Sequence, residues 1–146
     1  VSNQLIVGID PDSDKHALAF FENGKLIELK SMDLMAIVNY AWPKDTLFSI
    51  EHVNKNKFVY ARNIQEKQKL QDRVAMGVGK CQQAQVELCR ALAFLGFGYQ
   101  LVAPQRGNWA KDKKRFEMIT GWKGRSNEDT RSAAYFGFLL ANGGKK

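Results

Sequence analysis

Two apolar runs in this sequence end on an acid: LIVGID closes on Asp10 and FSIE closes on Glu51. A third acid, Asp129, falls in the first turn of what reads as a final helix. A carboxylate at the end of a half-buried strand is costly unless something positive meets it. If the three elements converge on one edge of a sheet, their carboxylates repel by several kcal/mol at intermediate dielectric and form a hard-oxygen site of the kind Mg²⁺ binds. Mg²⁺ keeps several waters for substrate phosphate in such sites, and two ions about 4 Å apart activate a water and stabilise a leaving oxygen. The chemistry expected is hydrolysis of a nucleic acid backbone. Each acid also has an ordinary explanation. Asp10 before Pro11 shapes a turn, Glu51 pairs with a nearby lysine, and Ser126 with Asp129 matches a capping box.

Composition agrees with a polyanionic partner. The 146 residues carry 22 Lys and Arg against 15 Asp and Glu, a net charge of +7 with a pI near 9.5, which suits nucleic acid. That length is expected to form one domain, residues 1–146, around a single core. Cys81 and Cys89 sit eight positions apart on one predicted helix, about 12 Å along its axis, and are expected as buried thiols in a reducing compartment. His16 and His52 are too few and too separated for a zinc centre. No basic-then-apolar leader and no apolar run of roughly 18 residues is present, so a cytoplasmic site of action is expected, in a bacterial cell or a phage-infected host, with no membrane partner.

The elements that must position the acids follow from periodicity. Leu5–Ile9, Ala17–Phe21 and Leu26–Leu29 read as three antiparallel strands, with Asn23-Gly24 as the tight turn between the last two. Asp33 caps a short helix to about Ala41, Trp42-Pro43 breaks it, and TLFSIEHV is a fourth strand. From Asn54 to Gly79 the chain turns polar and basic, a loop with some helix in it. From Lys80 onward, Cys81, Ala84, Leu88, Leu92 and Leu95 mark one helix face, with Gly96 as its C-terminal cap. YQLVAP gives a fifth strand, followed by the basic segment QRGNWAKDKKRF, a short helix to about Thr120 and a last helix starting near Ser126. Strands first as a meander and then alternating with helices predict an α/β fold, a five-stranded mixed sheet flanked by helices.

These residues resemble the RuvC-like Holliday junction resolvases of the RNase H-like superfamily over most of the chain. GIDPDS resembles the first-strand motif Gly-Ile-Asp-Pro-Gly-Ser, SIE the second acidic motif, and GVGKCQQAQVELCRALAFLG the glycine-started helix after it. VAPQRGNWAK is similar to the strand and basic turn, and NEDTRSAAYFGF to the last helix with its acid-x-x-acid-Ala pattern. The resemblance implies an RNase H-like fold and a metal-dependent endonuclease acting at four-way or other branched DNA in recombination and repair. It implies two Mg²⁺ ions (or Mn²⁺) per site, no nucleotide cofactor, Asp10, Glu51 and Asp129 as metal ligands, and Lys111 as a catalytic phosphate contact. Two positions depart from the pattern: Asp12 stands for the glycine after the proline, and Ser132 for the second acid of the last helix. Glu128 or Asp12 would then make up the missing metal-binding charge.

The segment after Glu51 carries Phe58 and Tyr60 among Lys55, Lys57 and Arg62, a mixture suited to phosphate tracking and base stacking. Phe58 is the expected wedge at a junction centre. Arg106, Lys111, Lys113, Lys114 and Arg115 are expected to contact the DNA backbone beside the acids. Cutting two symmetry-related strands requires two active sites, hence a homodimer. The apolar residues Val86, Ala91, Ala93 and Phe94 lie off the main helix stripe, where a partner or a fully buried helix would place them. Two alternatives remain from sequence: a junction-binding module that does not cleave, and a strand-transfer domain of the transposase type.

Overall fold

The structure, a computed structural model, describes residues 4–53 and 64–143, residues 64–78 by their backbone alone. Strands β1 (Leu5–Asp10), β2 (His16–Glu22) and β3 (Lys25–Met32) form an antiparallel meander. Asn23 and Gly24 turn β2 into β3 with φ of 53° and 77°, the left-handed pair that a two-residue hairpin needs to match strand twist. Helix α1 (Leu34–Asn39) follows, its first turn capped by Asp33, whose carboxylate accepts the Ala36 N–H at 2.8 Å. Strand β4 (Leu47–Glu51) then lies parallel to β1 on the side away from β2, and β5 (Gly98–Val102) lies parallel to β4. The sheet order is β3-β2-β1-β4-β5, the five-stranded mixed sheet that the meander and the later alternation predict.

Between β4 and β5 runs α2 (Ile64–Phe94), 31 residues long and so about 46 Å from end to end. It starts at Ile64 rather than near Lys80: residues 64–73 are mostly the good helix formers Gln, Lys, Glu, Leu and Arg, and polar residues dominate them. Leu88, Cys89 and Leu92 are buried against the sheet, while Cys81 and Ala84 are half-buried. Gly96, at φ 87°, ends the helix: its N–H bonds the Ala93 carbonyl and the Phe97 N–H bonds that of Leu92, a Schellman closure. Val86, Ala93 and Phe94 are exposed, so the extra apolar residues do not mark a fully buried helix.

The sheet is covered on both faces. Val7, Ile9, Leu18, Phe20, Phe48 and Ile50 meet Ile37 and the buried face of α2 on one side. On the other side Ala17, Ala19, Phe21 and Leu26 meet Trp109, Phe116 of α3 (Lys113–Thr120), and Ala133 and Ala134 of α4 (Glu128–Ala141). Helix α4 crosses β1 backbone to backbone: a Cβ on Gly8 would overlap the Ala133 carbonyl oxygen and the Gly137 amide nitrogen. Only glycine permits that approach, and the approach sets where the start of α4 lies over the end of β1.

Candidate active site

Parallel pairing brings the first two acids together. Ile9 is registered with Ile50, so Asp10 and Glu51, each one residue further, end neighbouring strands with side chains on the same face as Gly8 and Ser49. That is the face α4 covers. Asp129, Ala133 and Gly137 recur at intervals of four and share one helix side, so the contact at Gly8 carries Asp129 and Ser132 to Asp10. The Asp10 carboxyl makes hydrogen bonds with Glu51 and Ser132. Burial, then the facing Glu51 carboxylate, push the Asp10 carboxyl up to about 8, with Asp129 adding its repulsion and the Ser132 hydroxyl working against it.

Helix α4 is capped one residue later than the sequence suggests. Asn127, not Ser126, accepts the Thr130 N–H at 2.8 Å, and the Thr130 hydroxyl accepts the Asn127 N–H at 2.9 Å. Asp129 is thereby released from capping and stands exposed in the first turn with Glu128. Among the described residues the ion pairs are Lys30 with Glu28 and Lys113 with Glu117, so no described lysine neutralises Glu51. The carboxylate of Asp12 folds back to accept the Ser13 N–H at 2.6 Å, while the Asp12 N–H donates to His16 Nδ1 at 3.2 Å. His16 is buried, which lowers its pKa, and it braces the loop that leaves β1.

The basic segment is tied to the acids by residues that sequence reading passes over. Trp109 is 2 % exposed, its ring 5.2 Å from that of Tyr135 and 5.1 Å from that of Phe138. Next to it, Asn108 Nδ2 donates to Ser132 Oγ at 2.9 Å, and the Arg131 Nε donates to the Ala110 carbonyl at 3.0 Å. Arg106, Lys111, Lys113, Lys114 and Arg115 are all exposed around this anchor. A tryptophan inside a run of charges was the signal for the anchor; a buried arginine on a helix leaves none. Beyond Glu51, the Val53 N–H donates to Gln85 Oε1 of α2 at 2.6 Å, which fixes where the chain departs. Lys55, Lys57, Phe58, Tyr60 and Arg62 lie outside the described residues.

The donor set suits a hard divalent cation in type: two carboxylates in contact at adjacent strand ends, with a third acid near. Among the described residues, no group of three or more His, Cys, Asp or Glu side chains is gathered closely enough to hold a metal ion. Asp10 and Glu51 form the close pair, and Asp129 acts from further away.

No protein-family model matches the sequence, and no curated protein is similar to it. Solved structures do match. Thermus thermophilus RuvC in complex with a Holliday junction substrate aligns with TM-score 0.55 and 15 % identity over 95 % of this chain and 94 % of that one. A second structure of Thermus thermophilus RuvC aligns with TM-score 0.50 and 15 % identity over 94 % of each chain. The fold is RuvC-like. The likeness extends over nearly the whole chain, and Asp10 and Glu51 end the neighbouring parallel strands β1 and β4 of the sheet. Among the described residues no helix is long and apolar enough to cross a membrane.

Proposed function

We propose that the chain is a nuclease domain that cleaves branched DNA, four-way junctions first, with divalent metal ions. The observation that carries this reading is the contact between Asp10 and Glu51 at adjacent strand ends, with α4 bringing Asp129 toward them. Asp10, Glu51 and Asp129 would hold the cations, with Glu128 or Asp12 as added charge. Bound ions would supply the Lewis acidity that turns a water into a nucleophile and stabilises the leaving oxygen. Lys111, on the loop pinned by Trp109 and Arg131, would take the phosphate next to the scissile bond, and Arg106, Lys113 and Lys114 the backbone on either side. Lys55, Lys57, Phe58, Tyr60 and Arg62 would meet the junction centre.

A pair of such domains would cut two symmetry-related strands. The apolar surface for pairing would be the end of α2 and the edge strand β5: Phe94 is 90 % exposed, and Val86, Leu95, Tyr99 and Leu101 are also exposed. The fold likeness to a RuvC bound to a Holliday junction supports the substrate class.

The test is incubation of a labelled four-way junction, and of plain duplex, with the protein in Mg²⁺ or Mn²⁺. Junction cleavage that disappears in Asp10→Asn and in Glu51→Gln, with both variants folded, is expected. A second reading, a junction binder that does not cut, draws on Ser132 standing where a fourth acid is expected. It predicts tight, salt-sensitive junction binding with no product at any metal concentration.

A further inference from the structure

Ser132 is buried, at 4 % exposure, and its surroundings are built rather than incidental. The Ala110 N–H donates to Asn108 Oδ1 at 2.8 Å, which fixes the amide so that Nδ2 is the end facing α4. That Nδ2 donates to Ser132 Oγ at 2.9 Å. With its oxygen accepting, the hydroxyl has its own proton to give, and its other partner is the Asp10 carboxyl. Arg131 grips the same loop from the neighbouring position: Nε donates to the Ala110 carbonyl at 3.0 Å and Nη1 to Ser126 Oγ at 3.0 Å. Ala110 is thus held by both of its backbone polar groups, one residue before Lys111.

We propose that Asn108 and Ser132 are positioning residues that fix the Asp10 carboxylate for a divalent cation and couple it to the loop bearing Lys111. The inference rests on the metal-dependent reading above and deepens it. A carboxylate ligand is oriented by the hydrogen bond on its other oxygen, and losing that partner typically weakens metal binding 10- to 100-fold. Ser132 thus replaces the expected acid by a donor that organises Asp10 and adds no negative charge.

The experiment is a Mn²⁺ titration of the full chain, with free Mn²⁺ read by electron paramagnetic resonance, for wild type, Asn108→Ala, Ser132→Ala and the double variant. Each single variant is expected to bind Mn²⁺ about 10-fold more weakly. The double variant should be little worse than either, because both changes break one chain of hydrogen bonds. Melting curves confirm the fold, and Asn108→Ala, which alters a partly exposed side chain, carries the test if Ser132→Ala does not fold. Wild-type affinity in Asn108→Ala, or losses that simply add in the double variant, would overturn this inference alone. Failure of the wild-type chain to bind Mn²⁺ would overturn the metal-dependent reading, and this inference with it.

Discussion

Because Asp10 is half-buried and faces Glu51, the metal-free folded chain keeps a proton there up to about pH 8, whereas an unfolded chain releases it near 3.8. Below 3.8 both states are protonated and the group contributes no difference. Between 3.8 and about 8 the unfolded state alone loses its proton, so metal-free stability falls as pH rises, by at most about 1.4 kcal/mol per pH unit from this group. Asp10→Asn is expected to flatten that part of the stability profile and to raise the metal-free melting temperature at pH 8, as measured by calorimetry across pH 4 to 8. Unchanged slopes would show that Asp10 titrates normally. Glu51 and Asp10 were both legible in the sequence as acids ending apolar runs. The partners that act on Asp10 from α4 were less so. The capping box expected at Ser126 with Asp129 forms instead at Asn127 with Thr130, a pair outside the usual Ser/Thr-to-acid pattern.

At the scale of elements, the crossing of α4 over β1 decides whether the acids meet. Gly8→Ala would press a methyl group into the Ala133 carbonyl and the Gly137 amide, backbone atoms that yield only by moving the helix. The expected cost is about 3 kcal/mol, with a lower melting temperature and lost junction cleavage even where the variant folds. Melting curves and the cleavage assay check both, and near-normal behaviour would mean that α4 can shift without disturbing the site. The strands, the Asn23-Gly24 turn, the Asp33 cap and the Gly96 terminus were readable because each rests on a local signal: alternation, a left-handed pair, a side-chain acceptor, a positive φ. The first half of α2 was not, since polar and charged residues outnumber apolar ones between Ile64 and Arg73. Trp109 was hidden for a related reason: its charged neighbours are exposed while its own ring anchors the loop in the core.

For the whole molecule, a net charge of +7 predicts junction binding that weakens steeply as salt rises, through release of counterions from the phosphates. The second feature at this scale is the apolar edge at Phe94. A side chain 90 % exposed at the end of a long helix, with Tyr99 and Leu101 also exposed on the edge strand β5, is the expected centre of self-association. Phe94→Asp should convert a dimer into a monomer in sedimentation equilibrium and leave the fold intact by circular dichroism. A monomeric wild-type chain would instead require that each domain cut one strand at a time.

The central claim is that Asp10 and Glu51 together hold a divalent cation, and the most direct measurement is anomalous diffraction from crystals soaked in Mn²⁺. The account predicts a Mn²⁺ peak bonded to oxygens of both carboxylates, present in the wild type and missing in Asp10→Asn. Crystals with ordered Asp10 and Glu51 side chains and no such peak at saturating Mn²⁺ would contradict it.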